Sequence, residues 1–293
     1  MLWGADRLTD GAVAVAEKMK MPQIVIGLTI VAMGTSMPEF CVSLISALKG
    51  TSDLAVGNIV GSNIFNTLLI VGVSALVAPM SIMKTTVRKD IPFALVASAL
   101  LLIMCLDGDI SRIDAAILFV MFLIFMYITL RGAKAQGTDV EEKEKKPMAT
   151  WLSVVWILVG LACLIGGSNL FVDGATAVAT KLGVSEAVIG LTIVAGGTSL
   201  PELATSVVSA RKGNSGIAIG NVLGSNVFNI LAILGLTGVI SPMTLKGITM
   251  TDLSMMVISI ILIWLFSFTK YKIERWEGAI LTAVFVGYIY SLL

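Results

Sequence analysis

The sequence predicts an all-α membrane protein with about ten transmembrane helices, arranged as two inverted repeats of five helices each. Three observations lead to this prediction: the apolar composition, an internal repeat at a constant offset, and the uneven distribution of lysine and arginine. Of the 293 residues, 57% are hydrophobic and 13% are charged, whereas soluble domains carry about 25% charged residues. The apolar residues form stretches long enough to cross a ~30 Å hydrocarbon core as helices.

The residue inventory argues against several classes of protein. The formal net charge is +1, so no nucleic-acid partner is predicted. The chain has no histidine, no HExxH sequence and no nucleophile–base pair, so an intramembrane enzyme has no support. Cys41, Cys105 and Cys163 are scattered through apolar helices, so neither a disulfide nor a resident metal or other cofactor is predicted. No basic region followed by an apolar core opens the chain, so no cleavable signal peptide is expected.

An internal repeat defines the predicted architecture. The sequence GLTIVAMGTSMPEF at Gly27–Phe40 recurs as GLTIVAGGTSLPEL at Gly190–Leu203. Downstream, GNIVGSNIFN at Gly57–Asn66 recurs as GNVLGSNVFN at Gly220–Asn229. Both pairs are offset by 163 residues, and 28 of the 46 positions from residue 27 to residue 72 are identical in the second copy. A repeat at one fixed offset indicates two copies of a single structural unit.

Each copy is predicted to hold five helices. The first repeat spans residues 1–131, a polar connector spans 132–149, and the second repeat spans 150–293. The expected helices cover 1–19, 22–48, 54–79, 91–106 and 113–131, and then 150–181, 185–210, 216–241, 251–269 and 275–293. Only three residues precede Gly4, whereas a long apolar run precedes its match, Gly167, so the first helix is expected to be truncated.

The basic residues test the orientation of the two repeats. An odd number of crossings per repeat forces the copies into opposite orientations, and cytoplasmic loops carry an excess of lysine and arginine. With both termini outside, five of the 20 basic residues are outside and the other 15 are inside; the five are Arg7, Lys49, Arg112, Lys181 and Lys246. The charge bias therefore supports inversion, with the connector in the cytoplasm. Inverted repeats are a recurrent plan for secondary transporters, whose binding site lies at the bilayer midplane.

Two glutamates are the strongest candidates for function. Glu39 and Glu202 occupy matched positions near the middle of predicted membrane helices. An ionised carboxylate at the bilayer centre costs about 2.5–3.5 kcal/mol on insertion scales. No lysine or arginine is expected near the middle of a helix, so a bound cation, or protons in its absence, must compensate the charge.

The neighbours of the glutamates are suited to a hard cation. Thr35 and Ser36 flank Glu39 on its helix, and Pro38 is expected to kink the helix and leave the carbonyl of Gly34 without its usual partner. The matched residues in the second copy are Gly197, Thr198, Ser199 and Pro201, and the pairs Ser62/Asn66 and Ser225/Asn229 add hydroxyl and amide oxygens. Oxygen ligands favour Ca²⁺ or Na⁺ over zinc or copper. A single membrane Ser, Thr or Asn is, however, more often an interhelical hydrogen-bonding group than a ligand.

The paired GTSxPE and GSNxxN sequences resemble the repeats of the Ca²⁺/cation antiporter superfamily, specifically its prokaryotic sodium/calcium exchangers. The resemblance implies the ten-helix sodium/calcium exchanger fold and exchange of three Na⁺ for one Ca²⁺. It also implies a set of ion ligands, namely Glu39, Glu202, Thr35, Thr198, Ser36, Ser199, Ser62, Ser225, Asn66 and Asn229, with the carbonyls of Ala32 and Ala195. One departure is Asn229, where some members carry aspartate.

The expected function is therefore secondary active antiport of Ca²⁺ against Na⁺ in a prokaryotic inner or plasma membrane. The first alternative is H⁺/Ca²⁺ exchange on the same fold, because protons also neutralise glutamates. A passive cation channel is a second alternative, which predicts flux without a counter-ion. The expected partners are Ca²⁺, Na⁺ and the lipid bilayer, with H⁺ under the first alternative, and the sequence predicts no oligomeric state.

Overall fold

The structure, a computed structural model, describes residues 1–135, 148–182 and 195–292 and is mostly helical. In the first half the helices are α1 (Leu2–Met19), α2 (Gln23–Thr35 and Met37–Leu48), α3 (Ser52–Val77), α4 (Thr86–Asp107) and α5 (Arg112–Ala135). In the second half they are α6 (Thr150–Lys181), α7 (Ala195–Thr198 and Leu200–Arg211), α8 (Ser215–Ile240), α9 (Met250–Ser267) and α10 (Arg275–Leu292).

The positions of these helices follow the sequence prediction closely. Six of them are long and apolar enough to cross a membrane, or seven if the bent α2 is counted as one span. The exact number of crossings stays a prediction. Residues 136–147 of the connector and the predicted start of α7 at 185–194 lie outside the described residues. Helix α1 has 18 residues, and its counterpart α6 has 32.

Helices α3 and α8 form the centre of the molecule. Over the 18 most apolar consecutive residues of each helix, 94% of α8 and 72% of α3 are buried, whereas only 17% of α5 is buried. Because α5 exposes most of its apolar surface, it is suited to face lipid, and α3 and α8 are suited to carry polar groups away from lipid. Glycines allow α8 to lie directly against α2. A Cβ added at Gly220 would come within 2.9 Å of the Cα of Gly27, and one at Gly224 within 2.6 Å of the carbonyl of Leu28.

Two short antiparallel strand pairs connect the halves, and neither was predicted. Strand β1 (Met80–Ser81) pairs with β4 (Lys272–Ile273), and β2 (Asp109–Ile110) pairs with β3 (Met243–Thr244). The first position of β3 follows that of β1 by 163 residues, and the same offset separates β2 from β4. Each pair therefore joins one half to the other, and the two pairs recur at the offset of the sequence repeat.

The position of Arg7 corrects one sequence prediction. Arg7 was assigned to the outer side and Lys212 to the inner side, but both pair with Asp6 and Asp10, and Lys212 Nζ lies 2.7 Å from Asp10 Oδ1. The two basic residues therefore lie on one side of the molecule. The reason is that α1 begins beside the middle of α6, where a Cβ added at Gly4 would meet Cys163 at 2.8 Å. Arg7 consequently lies part of the way along α6 instead of at its outer end.

Candidate cation site

Breaks in α2 and α7 position the two glutamates. At Ser36 (φ −84°, ψ 9°) and Ser199 (φ −88°, ψ 4°) the backbone departs from helical geometry, and at the first of these breaks α2 bends by 48°. A proline follows each break near the new N-terminus, where its missing N–H is tolerated. Glu39 and Glu202 lie in the first turn after the break and are each 1% exposed. Unpaired backbone N–H groups and the helix dipole favour a carboxylate there.

The two glutamates are connected by reciprocal hydrogen bonds between the halves. Ser36 Oγ donates to Glu202 Oε1 at 2.9 Å, and Ser199 Oγ donates to Glu39 Oε1 at 3.0 Å. Each serine therefore belongs to the break of its own helix but contacts the acid of the other half. The expectation that the four residues lie together agrees with this geometry. The second carboxylate oxygen of each glutamate, Oε2, has no hydrogen-bond partner among the residues that the structure describes.

Two asparagines that the sequence analysis did not select support these breaks. Asn58 Nδ2 donates to the backbone carbonyl of Glu39 at 3.2 Å and to Ser43 Oγ at 2.9 Å. Asn221 Nδ2 repeats both contacts in the second half, to the carbonyl of Glu202 at 3.3 Å and to Ser206 Oγ at 3.0 Å. The signal was present in the sequence, because Asn58 and Asn221 are identical residues inside the repeated GN(I/V) segment.

The same two asparagines also contact the predicted threonine ligands across the halves. Thr35 Oγ1 donates to Asn221 Oδ1 at 3.1 Å, and Thr198 Oγ1 donates to Asn58 Oδ1 at 3.5 Å. Thr35 Oγ1 lies also within 3.3 Å of the carbonyl of Ala32. That carbonyl accepts from the backbone N–H of Ser36 as well, so it is already paired within the chain.

A network of four asparagines lies between α3 and α8. Asn66 Nδ2 donates to Asn226 Oδ1 at 3.2 Å, and Asn229 Nδ2 donates to Asn63 Oδ1 at 3.1 Å. Asn66 and Asn229 lie within wide π-helical turns, at Phe65–Ile70 and Phe228–Leu234, which are frequent at functional sites. All four side chains are at most 1% exposed. Asn63 and Asn226 were not predicted as site residues, although both are repeated in the sequence.

The predicted ligands carry buried oxygens without hydrogen-bond partners. Within the described residues, twelve buried side-chain atoms lack a partner. Six of them belong to the predicted site, and these are Glu39 Oε2, Glu202 Oε2, Ser62 Oγ, Ser225 Oγ, Asn66 Oδ1 and Asn229 Oδ1. A buried polar atom without a partner costs about 1–3 kcal/mol, more when it is charged. Six such atoms on four contacting helices therefore indicate a place for a cation, for water, or for both.

One expectation about the backbone carbonyls is wrong in the second half. Pro201 was expected to leave the carbonyl of Gly197 open beside Glu202, as Pro38 was expected to do for Gly34. In the structure Ser168 Oγ of α6 donates a hydrogen bond to the Gly197 carbonyl. The residue matched to Ser168 in the first half is Ala5, which has no side-chain donor. The freed carbonyl of the second half is therefore satisfied by a neighbouring helix.

No basic side chain in the described part of the chain compensates the two acids. All ion pairs found among the described residues join Asp6 or Asp10 to Arg7 or Lys212, and none involves Glu39 or Glu202. Each carboxylate accepts a hydrogen bond from a serine hydroxyl group, which stabilises the carboxylate without cancelling its charge. If both acids are ionised, the site carries a charge of −2, held in a buried environment where a divalent cation is strongly attracted.

Comparison with known proteins gives a consistent family assignment. The sequence model of the family described as "Sodium/calcium exchanger protein" matches residues 1–131 and 152–293. The chain is 37% identical over 302 residues to the inner membrane protein YrbG of Escherichia coli (strain K12), covering 100% of this chain and 93% of YrbG. It is 33% identical over 330 residues to the sodium/calcium exchanger MaX1 of Methanosarcina acetivorans, covering 99% of this chain and 94% of MaX1.

A solved structure also resembles the whole chain. The sodium–calcium exchanger NCX_Mj, soaked with Na⁺ and Ca²⁺, superposes with a TM-score of 0.87 at 32% sequence identity, covering 99% of this chain and 94% of that chain. The all-α membrane fold predicted from the repeat and the hydropathy is therefore confirmed at the level of fold class.

Proposed function

Because the chain belongs to the sodium/calcium exchanger family, we propose that it exchanges Ca²⁺ for Na⁺ by alternating access at the site between Glu39 and Glu202. The family is one of transporters rather than enzymes, and the chain is a multi-pass membrane protein. The observation that carries the proposal is a set of six buried oxygens, three from each half, that have no hydrogen-bond partner among the described residues. Two of the six belong to the carboxylates of Glu39 and Glu202, and neither carboxylate is in an ion pair with a described residue.

The charge of the site explains why exchange is favoured over leak. One Ca²⁺ or two Na⁺ neutralise a pair of carboxylates, and both ions accept hard oxygen ligands. Ca²⁺ takes about six to eight oxygens, a range that the six unpartnered side-chain oxygens begin to fill. An empty, doubly ionised site is costly to enclose within the membrane, whereas a loaded one is neutral. Each reorientation therefore requires bound cation, and one ion must replace the other.

The proposal includes the arrangement of the chain in the membrane. The two inverted repeats are residues 1–131 and 150–293, the connector 132–149 is cytoplasmic, and both termini are outside. The distribution of basic residues supports this orientation, and moving Arg7 to the side of Lys212 changes the ratio from 15 against 5 to 16 against 4. Hydrogen bonds that recur at the offset of 163 residues support the repeats. A prokaryotic inner membrane is supported by the similarity to YrbG.

The experiment that tests the proposal compares two driving forces. Purified protein in proteoliposomes is loaded with Na⁺, and Ca²⁺ uptake is followed after dilution into medium without Na⁺. The same measurement is repeated with a pH gradient in place of the Na⁺ gradient. We expect uptake with the Na⁺ gradient alone. Uptake driven only by the pH gradient would instead support H⁺/Ca²⁺ exchange, and uptake without any counter-ion would support a channel.

A matched pair of variants assigns the activity to this site. Glu202→Gln removes one charge, and we expect it to lower the exchange rate by more than about 100-fold, which corresponds to about 2.8 kcal/mol. The control is Glu277→Gln, which changes an equally buried glutamate whose Oε2 accepts a hydrogen bond from the N–H of Glu274 at 2.7 Å in α10. Glutamine keeps that acceptor, so exchange should persist. Near-normal exchange in Glu202→Gln would contradict the assignment.

A further inference from the structure

We propose that Asn63 and Asn226 are positioning residues, which turn the amides of Asn66 and Asn229 so that their carbonyl oxygens face the cation. This inference rests on the proposed function, because it concerns two of the proposed ligands. An asparagine side chain can present either an acceptor oxygen or a donor NH₂ group, and only the oxygen can coordinate a cation. A ligating asparagine in a buried site therefore needs a contact that selects one of its two orientations.

The network of four asparagines selects one orientation for each of the two proposed ligands, Asn66 and Asn229. The NH₂ group of Asn66 is held by Asn226 Oδ1 at 3.2 Å, and the NH₂ group of Asn229 is held by Asn63 Oδ1 at 3.1 Å. In both cases the amide oxygen of the ligand is the atom left without a hydrogen-bond partner within the described part of the chain. If either amide were reversed, two oxygens would face each other and the NH₂ group would point away from its acceptor. The interaction across the halves therefore fixes which atom is available.

The positioning residues differ in how firmly they are held themselves. Asn226 Nδ2 donates to Thr67 Oγ1 at 2.7 Å, and Thr67 Oγ1 lies 2.7 Å from the carbonyl of Asn63, to which it donates. Asn63 Nδ2 has a longer contact, at 3.3 Å, with the carbonyl of Asn226, and lies 4.0 Å from Met256 Sδ. The residue matched to Thr67 in the second half is Ile230, which has no hydroxyl group. Thr67 therefore fixes the orientation of the Asn226 amide and, through it, that of the Asn66 amide. No hydroxyl group at the matched position of the second half provides the equivalent contact.

The test uses substitutions that lie beyond the ligands. Thr67→Val removes the hydroxyl group at constant shape, Thr67→Ser keeps it, and Ile230→Val is the control at the matched position. We expect Thr67→Val to raise the Ca²⁺ concentration for half-maximal exchange by about fivefold to tenfold, with the maximal rate within about twofold. Thr67→Ser and Ile230→Val should resemble the unmodified protein. Equal apparent affinities in Thr67→Val and Thr67→Ser would overturn the inference.

A second measurement separates positioning from simple structural support. Equilibrium Ca²⁺ binding and thermal stability are measured on detergent-solubilised protein for Thr67→Val, Asn226→Leu and Asn63→Leu. We expect weaker binding in all three, whereas lowered thermal stability with unchanged affinity would contradict positioning. If the unmodified protein binds Ca²⁺ but does not exchange it for Na⁺, the proposed function fails and the binding data still decide the inference. If it exchanges normally and the variants bind normally, only the inference fails.

Discussion

The two halves are nearly equivalent around the glutamates and differ one layer of residues further out. The hydrogen bonds of Ser36 and Ser199 to the opposite acids differ by only 0.1 Å, and so do those of the asparagines that hold the breaks. Beyond them, Thr67 is matched by Ile230 and Ser168 by Ala5. Under the proposed function, both halves contribute equally to the contacts with the ion, whereas the residues that support those contacts differ between the halves.

We expect the largest loss of stability from replacing Asn58 or Asn221, the asparagines that contact the segments after the breaks in α2 and α7. Asn221→Leu removes the amide partner of the Glu202 carbonyl and of Ser206, and buried unsatisfied groups cost about 1–3 kcal/mol each. It also removes one acceptor of the Thr35 hydroxyl group, which can still donate to the carbonyl of Val31. We expect a loss of about 3 kcal/mol in the free energy of unfolding in detergent. Asn58→Leu should cost less, because its bond from Thr198 is longer, at 3.5 Å against 3.1 Å.

The control for this pair is an exposed asparagine on a membrane helix. Asn169→Leu, on α6, should change the free energy of unfolding by no more than about 0.5 kcal/mol. If Asn221→Leu behaved like Asn169→Leu, the breaks at Ser36 and Ser199 would not depend on these amides. If Asn58→Leu were the more damaging of the two, the ranking by hydrogen-bond length would be wrong.

The next-largest expected effect is on the apparent affinity for Ca²⁺, and it tests directly whether the two halves are equivalent. Ser36→Ala and Ser199→Ala each remove one donor from the opposite carboxylate, and a hydrogen bond to a charged group contributes about 1.5–3 kcal/mol. We expect each variant to raise the half-saturating Ca²⁺ concentration by about tenfold. Ser74→Ala is the control, because Ser74 lies outside the site and its buried Oγ has no hydrogen-bond partner among the described residues. Clearly unequal effects of Ser36→Ala and Ser199→Ala would show that the two halves are not equivalent around the glutamates.

Much of this architecture could be predicted because its main features occur in both copies of the sequence repeat. An acid in an apolar helix is costly, and its recurrence at the same offset makes Glu39 and Glu202 stand out. The kink next to Pro38 follows from the missing N–H of proline, and the structure has its 48° bend there. Hydropathy and the repeat together were sufficient for the fold class and for most helix bounds.

The remaining features depend on contacts between helices, which periodicity does not encode. The capping of the Gly197 carbonyl by Ser168 requires knowing that α6 passes beside α7. The side on which Arg7 lies depends on where α1 begins along α6. Asn63 and Asn226 are repeated in the sequence as clearly as Asn66 and Asn229, but only the amide contacts in the structure distinguish the proposed positioning residues from the proposed ligands.

A smaller effect, dependent on pH, should follow from changing one asparagine of the network. Asn229 donates to Asn63 Oδ1 at 3.1 Å, and Asn229→Asp can keep that bond only while the new carboxyl group is protonated. The protonated form resembles the amide, whereas the ionised form opposes the Asn63 oxygen and adds a third negative charge. We expect the ratio of variant to unmodified exchange rate to rise by about fivefold from pH 9 to pH 6, equivalent to about 1 kcal/mol. A ratio that does not change with pH would exclude this role for Asn229.

The smallest effect concerns a contact present on one side only. Lys212 pairs with Asp6 and Asp10 of α1, whereas the matched Lys49 has no ion pair among the described residues. The paired side chains are 27–33% exposed, and such ion pairs contribute about 0.2–1 kcal/mol. Lys212→Ala should therefore lower the free energy of unfolding by less than about 1 kcal/mol, more at low salt than at high salt. Lys49→Ala should have no effect at either salt concentration, and a loss of stability equal to that of Lys212→Ala would show that the ion pairs do not distinguish the halves.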